Sequence, residues 1–326
     1  MANYERHRLL FMATDPVHIG TGGYRLGRVD NSIVREPGTR VPKIPGTSLH
    51  GAARSYAAQL YESPASAGQD QKDVPNPGAD PVCYTFGYLT QDADQPDKAR
   101  GYSGVVNIFD AHILLFPVYS MAGPVWVSTV ERLRDGGITV SDPPANWDSG
   151  SALVVSNRKD DFNLGWLMVK VAGKVTVTAH ERWSEDKRWK SISDNIVVVK
   201  DSLFSHIVNS NLEVRTSVAI DPERGAAEDK ALFTYEALPR TTFLTSDIVL
   251  DDYRDGDAGR PFPKQVTAKE KPLPGGGWTG PLDVAKAGLR MIEWLGVGGM
   301  GTRGFGRISL VGEPLVQKFG EEGEWQ

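Results

Sequence analysis

One aspartate, Asp30, lies in a stretch that is otherwise rich in basic residues. Residues 24–54 have a local charge balance of 6 − 2 = +4, although the whole chain carries a net charge of −5. The charged residues of this stretch are Arg25, Arg28, Asp30, Arg35, Glu36, Arg40, Lys43 and Arg54. The pattern indicates an anion site in an acidic protein. Asp30 is then either part of a structural ion pair or a reactive group held beside a bound phosphate.

Two glycine-rich turns flank Asp30, and the second leads into a predicted helix. In the sequence PGTSLHGAAR, the hydroxyls of Thr47 and Ser48 fall where this helix, expected over 48–61, begins. Glycines let backbone amides approach a phosphate, and the free N–H groups and dipole of a helix start favour an anion. The alternative is a tight loop with an ordinary Ser/Thr cap.

A third glycine-rich segment, GVGGMGTRGFGR at 296–307, lies near the end of the chain. It matches G-x-G-x-x-G, but a predicted helix precedes it and a predicted strand follows. This order is the reverse of a dinucleotide-binding fingerprint, and the sequence has no Walker A motif. The segment is therefore interpreted as a basic loop, with Arg303 and Arg307 on an amide-rich backbone, that suits an extended phosphate backbone.

Composition limits the class of protein. With 326 residues and 40% hydrophobic content, the chain can bury a sizeable core. Its single cysteine, Cys83, excludes an internal disulfide, and six scattered histidines make a zinc site improbable. The apolar runs are too short for a membrane span or a signal peptide, so we expect a cytoplasmic protein without a membrane partner. The negative net charge predicts that any nucleic-acid contact is confined to one face.

Hydrophobic periodicity predicts an α+β fold. Predicted strands cover 7–14, 105–118, 152–156, 166–178 and 195–199, and predicted helices cover 48–61, 201–211 and 282–295. Three segments are interpreted as insertions: a surface loop at 63–101, a projecting β-hairpin at 212–236 and a flexible loop at 251–281. The aspartates of the last loop lack the ligand spacing of an EF-hand, so a solvated acidic loop is favoured over a calcium site.

Taken in order, these motifs resemble one family. HIGTG, VDNSIVRE around Asp30, IPGTSLHGAAR, the Phe86-Gly87 pair, FDAHILLFPV at 109–118 and GVGGMGTRGFGR are similar to the RAMP superfamily of CRISPR effector subunits. The segments at 114–129 and 213–239 are most similar to the repeated backbone subunit of type III-B (Cmr) complexes. The resemblance spans nearly the whole chain, 1–326, which is expected to be a single RAMP domain.

The resemblance implies an RRM-like, ferredoxin-type core, copies of which stack with other effector subunits along a guide CRISPR RNA. It implies that the hairpin is a thumb that kinks the guide–target duplex at regular intervals, and that Asp30 is required to cleave target RNA beside each kink. It also implies guide-phosphate contacts for a set of residues: Lys43, Ser48, His50, Arg54, Gly298, Gly299, Met300 and Arg303. Histidine at position 50 departs from the lysine common in the family, and a neutral imidazole is a weaker phosphate partner.

The chemistry expected of such a site is RNA cleavage by the 2′-hydroxyl of the substrate itself. A kink that unstacks a nucleotide allows that oxygen to align with the neighbouring phosphate. With a reference pKa of about 3.9, Asp30 is a weak base, so it is expected to orient a water or a divalent ion, magnesium being the ion expected. Two alternatives remain: a non-catalytic RNA-binding scaffold, and a stand-alone guide-processing nuclease with His18 or His50 as its base.

Overall fold

The computed structural model describes residues 4–22, 29–68, 73–92, 95–144, 147–254, 261–269, 271–320 and 325. The architecture is α+β, as the hydrophobic periodicity predicts. The strands, in chain order, are β1 (Tyr4–Ala13), β2 (Lys43–Ile44), β3 (Gly87–Asp92), β4 (Gln95–Ser103), β5 (Val106–Ile108), β6 (Ala111–Ser120), β7 (Gly123–Ser128), β8 (Thr139–Val140), β9 (Ser151–Val154), β10 (Phe162–Leu164), β11 (Leu167–Lys174), β12 (Val177–Thr178), β13 (Ile196–Val198), β14 (Glu213–Asp221), β15 (Ala226–Ala237), β16 (Phe243–Asp251), β17 (Thr267–Ala268), β18 (Lys271–Pro272), β19 (Ile308–Leu310) and β20 (Leu315–Lys318).

The α-helices are shorter in total than the strands, and two of them have fifteen residues. In chain order they are α1 (Gly46–Leu60), α2 (Pro81–Phe86), α3 (Val130–Asp135), α4 (Glu181–Ser184), α5 (Lys187–Lys190), α6 (Asp201–Ser210) and α7 (Pro281–Leu295). None of the helices in the described ranges is long and apolar enough to cross a membrane.

A mixed sheet organises the molecule. Among the described residues twelve strands join it, in the order β10-β11-β9-β13-β7-β6-β16-β1-β19, with β2, β20 and β5 pairing to β6, β1 and β16. Most pairs are antiparallel, whereas β11–β9 and β13–β7 are parallel. The longest ladder joins β1 to β16 from Tyr4↔Asp251 to Met12↔Phe243.

One face of the sheet is covered by α1 and α7, which cross closely. Gly288 of α7 packs against the backbone of Ala53 in α1, and a Cβ at Gly288 would collide with the Ala53 carbonyl oxygen. Leu49 of α1 and Ile292 of α7 are fully buried beneath this crossing. Pro281 begins α7, and Gly296 with φ +82° follows its last residue, as the sequence predicts. The other face buries a tryptophan-rich cluster under α3, α4 and α5.

The hairpin predicted at 212–236 is present as β14 and β15, which pair from Glu213↔Ala237 to Asp221↔Ala226 and form a two-stranded sheet of their own. Their outer part carries exposed apolar side chains: Val218 is 42% exposed, Ile220 64% and Leu232 66%. The hairpin therefore extends away from the central sheet rather than joining it.

The two predicted loops contain regular structure. Residues 63–101 were expected to form a surface loop, but they contain α2 and the paired strands β3 and β4. Asp80 begins α2 by accepting hydrogen bonds from the backbone N–H groups of Val82 and Cys83, and α2 is buried throughout. Single prolines, glycines and aspartates thus cap and join short elements here, where they were interpreted as signals of a loop.

The segment 251–281 was expected to be flexible and without regular structure. Its described part includes β17 and β18, and it buries Phe262, Leu273 and Trp278. Residues 255–260 and 270 lie outside the described residues, so flexibility of the remainder stays a prediction, as does the assignment of 1–326 to a single domain.

Candidate functional site

Asp30 lies against the base of the projecting hairpin. Its carboxylate oxygen Oδ2 accepts hydrogen bonds from the backbone N–H of Thr234 (2.7 Å) and from the Thr234 hydroxyl (2.9 Å). The Asp30 N–H in turn donates to that hydroxyl (3.1 Å). These hydrogen bonds from the Thr234 amide and hydroxyl lower the pKa of Asp30, because they favour the charged form. Oδ1 accepts no hydrogen bond from any other described residue, and the group is half-buried.

The strand segment after Asp30 is fixed to β15 by backbone and charged contacts. The N–H of Asn31 donates to the Thr234 carbonyl (3.0 Å). The buried Glu236 carboxylate accepts from the Ile33 N–H (3.0 Å) and from both terminal nitrogens of Arg35 (2.6 and 2.8 Å). Arg35 is therefore paired with Glu236, so it does not compensate Asp30. Arg25 and Arg28 lie outside the described residues.

The glycine-rich loop after α7 packs against the same hairpin base. Gly298 has φ +88° and contacts the His18 carbonyl so closely that a Cβ would collide with it, while the Gly299 N–H donates to that carbonyl (3.0 Å). Met300 packs beside Tyr235 and Phe305. Gly298 and Gly299 thus fix the loop against His18, and Met300, the next residue, packs against the hairpin.

The arginines of this loop face outward. The guanidinium carbon of Arg303 lies 5.5 Å from the centre of the Phe233 ring on β15, and Arg303 is exposed. Arg307 is also exposed and pairs with Asp15, which raises the pKa of Arg307. Arg303 therefore presents a cation next to the hairpin base, and its ring contact leaves its N–H donors available for an anion.

The start of α1 already holds an anion from the chain itself. The Gly46 N–H donates to Asp110 Oδ1 (2.7 Å), and the Lys43 ammonium contacts Asp110 Oδ2 (2.5 Å) and Glu36 (2.9 Å). These carboxylates raise the pKa of Lys43. Thr47 is exposed and Ser48 half-buried, and neither hydroxyl caps the helix. The Asp110 carboxylate thus contacts the Gly46 N–H at this helix start, and the phosphate contacts expected there stay predictions.

The same cluster has metal-ligand side chains. Ligand atoms of Glu36, Asp110 and His112 lie within 4.8 Å of one another. The Lys43 ammonium contacts both carboxylates, so it already supplies the positive charge that a metal ion would bring. We therefore assign no metal to this cluster.

His50 and Arg54, both on α1, contact residues of the segment that follows this helix. The His50 ring packs edge-on against Phe86 with ring centres 5.1 Å apart, and burial, with a contribution from Arg54, lowers its pKa. Arg54 is half-buried, and its Nε donates to the Ser66 carbonyl (2.9 Å). Burial lowers the pKa of Arg54. His18 is buried and its Nδ1 lies 2.7 Å from the Glu236 carbonyl. These contacts give no support to a histidine base.

The structure thus separates the predicted site residues into two groups. Asp30, Gly298, Gly299, Met300 and Arg303 surround the hairpin base, whereas Lys43, Thr47, Ser48, His50 and Arg54 lie on α1 and the strand before it. The sequence reasoning missed Thr234 and Glu236, which have no local motif. It also missed the role of Asp110, although that residue lies within FDAHILLFPV. The RNA contacts themselves stay predictions.

The chain is similar to a known protein family and to a curated relative. The family model described as the RAMP superfamily matches residues 11–309. The CRISPR system Cmr endoribonuclease Cmr4 of Pyrococcus furiosus is 27% identical over 278 residues, covering 78% of this chain and 84% of its own.

Solved structures share the fold. A chain in the cryo-EM structure of the type III-B Cmr-beta complex bound to cognate target RNA has a TM-score of 0.60 at 15% identity, covering 94% of this chain and 96% of that chain. A chain of the oligomeric Cmr4 crystal structure from Pyrococcus furiosus has a TM-score of 0.52 at 17% identity, with 98% of each chain covered.

Proposed function

The chain belongs to the RAMP superfamily, and from this premise we propose that it is a backbone subunit of a type III CRISPR effector complex that binds guide RNA and cleaves complementary target RNA at regular intervals. The observation that carries the proposal is the position of Asp30, an ionised carboxylate held at the base of a projecting hairpin beside an exposed arginine loop. Its partners would be guide CRISPR RNA, target RNA, further copies of itself and other effector subunits, in the cytoplasm.

The RNA-binding face is proposed to run along the glycine-rich loop and the hairpin base. Glycines at 298 and 299 keep side chains out of the way of an approaching backbone, and Arg303 and Arg307 supply positive charge. Such contacts hold phosphates without reading sequence, as a subunit that accepts any guide requires. In this proposal the main role of Lys43 and Arg54 is to stabilise the structure around α1, because the Lys43 ammonium contacts Glu36 and Asp110 and the Arg54 Nε donates to the Ser66 carbonyl.

The hairpin is proposed to act as the thumb on an RRM-like core. Its exposed apolar residues, Val218, Ile220 and Leu232, would stack or wedge against unstacked bases, where burial of their apolar surface offsets part of the unstacking energy. A nucleotide displaced by the hairpin leaves A-form geometry at a position next to Asp30. The link between Asp30 and Thr234 of the hairpin supports a common location for the kink and for cleavage.

The chemistry proposed for this site is attack of an RNA 2′-hydroxyl on the adjacent phosphate, in which the new O2′–P bond replaces the P–O5′ bond. The 2′-hydroxyl proton passes to solvent water and the leaving 5′-oxygen takes a proton from water, which gives a 2′,3′-cyclic phosphate and a 5′-hydroxyl. The hairpin would allow the in-line alignment that A-form RNA prevents. Asp30 Oδ1 would orient a water or a divalent ion, since the lowered pKa keeps the carboxylate ionised but makes it a weak base. Arg303 would stabilise negative charge that develops on the phosphate oxygens.

A divalent ion fits this donor set, and magnesium dependence is part of the proposal. Magnesium is commonly bound through one or two carboxylates together with substrate phosphates, and Asp30 offers one such oxygen. When bound, the ion would supply positive charge beside the scissile phosphate. Asp30 would hold it through Oδ1 while Thr234 keeps Oδ2 in place.

The test is replacement of Asp30 by Ala in a complex assembled with guide RNA and the neighbouring subunits. Target cleavage should be lost, whereas gel shifts should show unchanged guide and target binding, because a carboxylate near phosphates opposes binding if it has any effect. Full cleavage by the Asp30→Ala complex would leave only the scaffold function.

A further inference from the structure

Thr234 makes every hydrogen bond that Asp30 Oδ2 forms with the described residues. Its backbone N–H and its hydroxyl both donate to this oxygen, and the same hydroxyl accepts from the Asp30 N–H. The three contacts span 2.7–3.1 Å and close a ring between the two residues. A carboxylate bonded in this way has little rotational freedom about its Cβ–Cγ bond. Its second oxygen, Oδ1, is consequently presented in one direction.

From this geometry we propose that Thr234 is a positioning residue for target RNA cleavage: it fixes Asp30 through Oδ2 so that Oδ1 faces the RNA. The inference rests on the proposed role of Asp30. It adds a second residue, on a different element, that does not touch RNA or a metal ion and acts through the carboxylate.

Of the two Thr234 groups that donate to Asp30, only the side-chain hydroxyl can be removed by substitution. The backbone N–H would still donate to Oδ2 after substitution, but it forms a single contact about which the carboxylate can turn. The hydroxyl supplies the second contact to Oδ2 and the only contact to the Asp30 N–H among the described residues. Valine has nearly the same shape as threonine and keeps its strand propensity, so Thr234→Val removes these two contacts with little change in packing.

The position of Thr234 also joins the carboxylate to the hairpin. Thr234 lies on β15, three residues from the base of the hairpin at Ala237, and directly opposite Thr216 on β14. Any displacement of the hairpin on RNA is thus transmitted to Asp30 through a residue that belongs to the hairpin. Cleavage would then occur only in complexes in which the hairpin is bound between nucleotides of the RNA. The distance between cleavage sites would equal the distance between successive hairpins.

The experiment compares complexes carrying Thr234→Val, Thr234→Ser and Thr216→Val with the wild-type complex. Thr216 is exposed and lies opposite Thr234, and among the described residues no hydrogen bond joins its hydroxyl to Asp30, so Thr216→Val is the matched control. Single-turnover cleavage of a complementary target RNA gives the maximal rate and the half-saturating RNA concentration separately. Gel shifts on the same complexes give target affinity.

Thr234→Val should lower the maximal rate about 10- to 100-fold, the range seen for hydrogen-bond partners of metal-ligating side chains, with unchanged half-saturation and affinity. Thr234→Ser should recover most of the rate, and Thr216→Val should match wild type. A wild-type rate for Thr234→Val, with Asp30→Ala inactive, would overturn the positioning role and leave the function of Asp30 intact. Equal losses in Thr234→Val and Thr216→Val would assign the effect to the hairpin surface and also overturn it. An active Asp30→Ala complex would instead reject the proposed function.

Discussion

Asp30 and Asp110 both accept a hydrogen bond from a backbone amide, but only Asp110 has its charge compensated within the described chain. Asp110 binds the Gly46 N–H with one oxygen and the Lys43 ammonium with the other. Asp30 binds two neutral donors with one oxygen, and no described cation pairs with it. A compensated carboxylate stabilises the fold, whereas an uncompensated one with a free oxygen can act on a substrate.

The basic residues of the two regions differ in the same way. Lys43 is enclosed by Glu36 and Asp110, with 18% of its side chain exposed. Arg303 is exposed and rests on an aromatic ring. The net charge of +4 counted over residues 24–54 does not show whether a basic residue is paired. One of the carboxylates that bind Lys43, Asp110, lies outside that stretch. Only the fold decides which cations remain available to RNA.

After loss of Asp30 itself, the largest effect is expected from shortening the hairpin whose base holds Asp30. Deletion of residues 222–229, joined by a short glycine linker, should leave the core folded because Pro222, Glu223, Arg224 and Gly225 are exposed. Ile220 would lose Ala227, the residue paired with it, and the shortened hairpin would no longer hold its apolar residues against the bases. Cleavage should fall by about 100-fold, since target RNA would then relax towards A-form geometry and lose in-line alignment. The measurement is the product ladder at matched target occupancy. A product ladder with unchanged spacing, formed at an unchanged rate, would show that cleavage at Asp30 does not depend on the hairpin tip.

The next largest effect is expected from replacing Asp110, and it is a loss of folding stability. Asp110→Ala leaves the Gly46 N–H without its partner and the Lys43 ammonium with Glu36 alone, so the free energy of unfolding should fall by about 1–3 kcal/mol. Urea denaturation of the purified chain measures this change. Asp30→Ala should lower stability less, because its partners are a half-buried threonine and its amide. The opposite ranking would remove the distinction between the two carboxylates.

The Asp110 contribution should also depend on pH. Burial opposes the charged form of Asp110, but the Gly46 N–H and Lys43 outweigh it, so the pKa of Asp110 is lowered in the folded chain. Its stabilisation is therefore present above the unfolded pKa of about 3.9 and is lost as the pH falls through the lower folded value. The stability difference between wild type and Asp110→Ala should be constant near neutral pH and shrink in acid. A difference that grows in acid would contradict this assignment.

The smallest effects are expected from single arginine replacements, which should change RNA binding at Arg303 and stability at Arg54. Arg303→Ala should weaken RNA binding and reduce the slope of log affinity against log salt by about 1, as loss of one phosphate contact does. Arg54→Ala should chiefly lower stability, since the Arg54 guanidinium is half-buried against Ser66. Binding measured at four salt concentrations, with melting curves on the same proteins, tests both. A reduced salt slope for Arg54→Ala would return Arg54 to the RNA-binding face.

The sequence predicted those parts of the fold that depend on local pattern. Helix α7, with Pro281 at its start and Gly296 after its end, and the paired arms of the hairpin were predicted correctly. Asp30 could be chosen because it is isolated among basic residues. Thr234 could not be predicted, because its contact with Asp30 joins residues 204 positions apart. The role of Asp110 was missed for the same reason: a helix start favours an anion, but the sequence does not tell whether the anion is a phosphate or a carboxylate of the chain.

The same conservative change in the two carboxylates shows whether cleavage requires Asp30 and not Asp110. Complexes assembled with Asp30→Asn or Asp110→Asn, at equal target occupancy and below the unfolding temperature of either chain, are compared for the rate of target RNA cleavage. We predict that Asp30→Asn abolishes cleavage and that Asp110→Asn cleaves at close to the wild-type rate. Cleavage that survives in Asp30→Asn, or is lost equally in both, would contradict it.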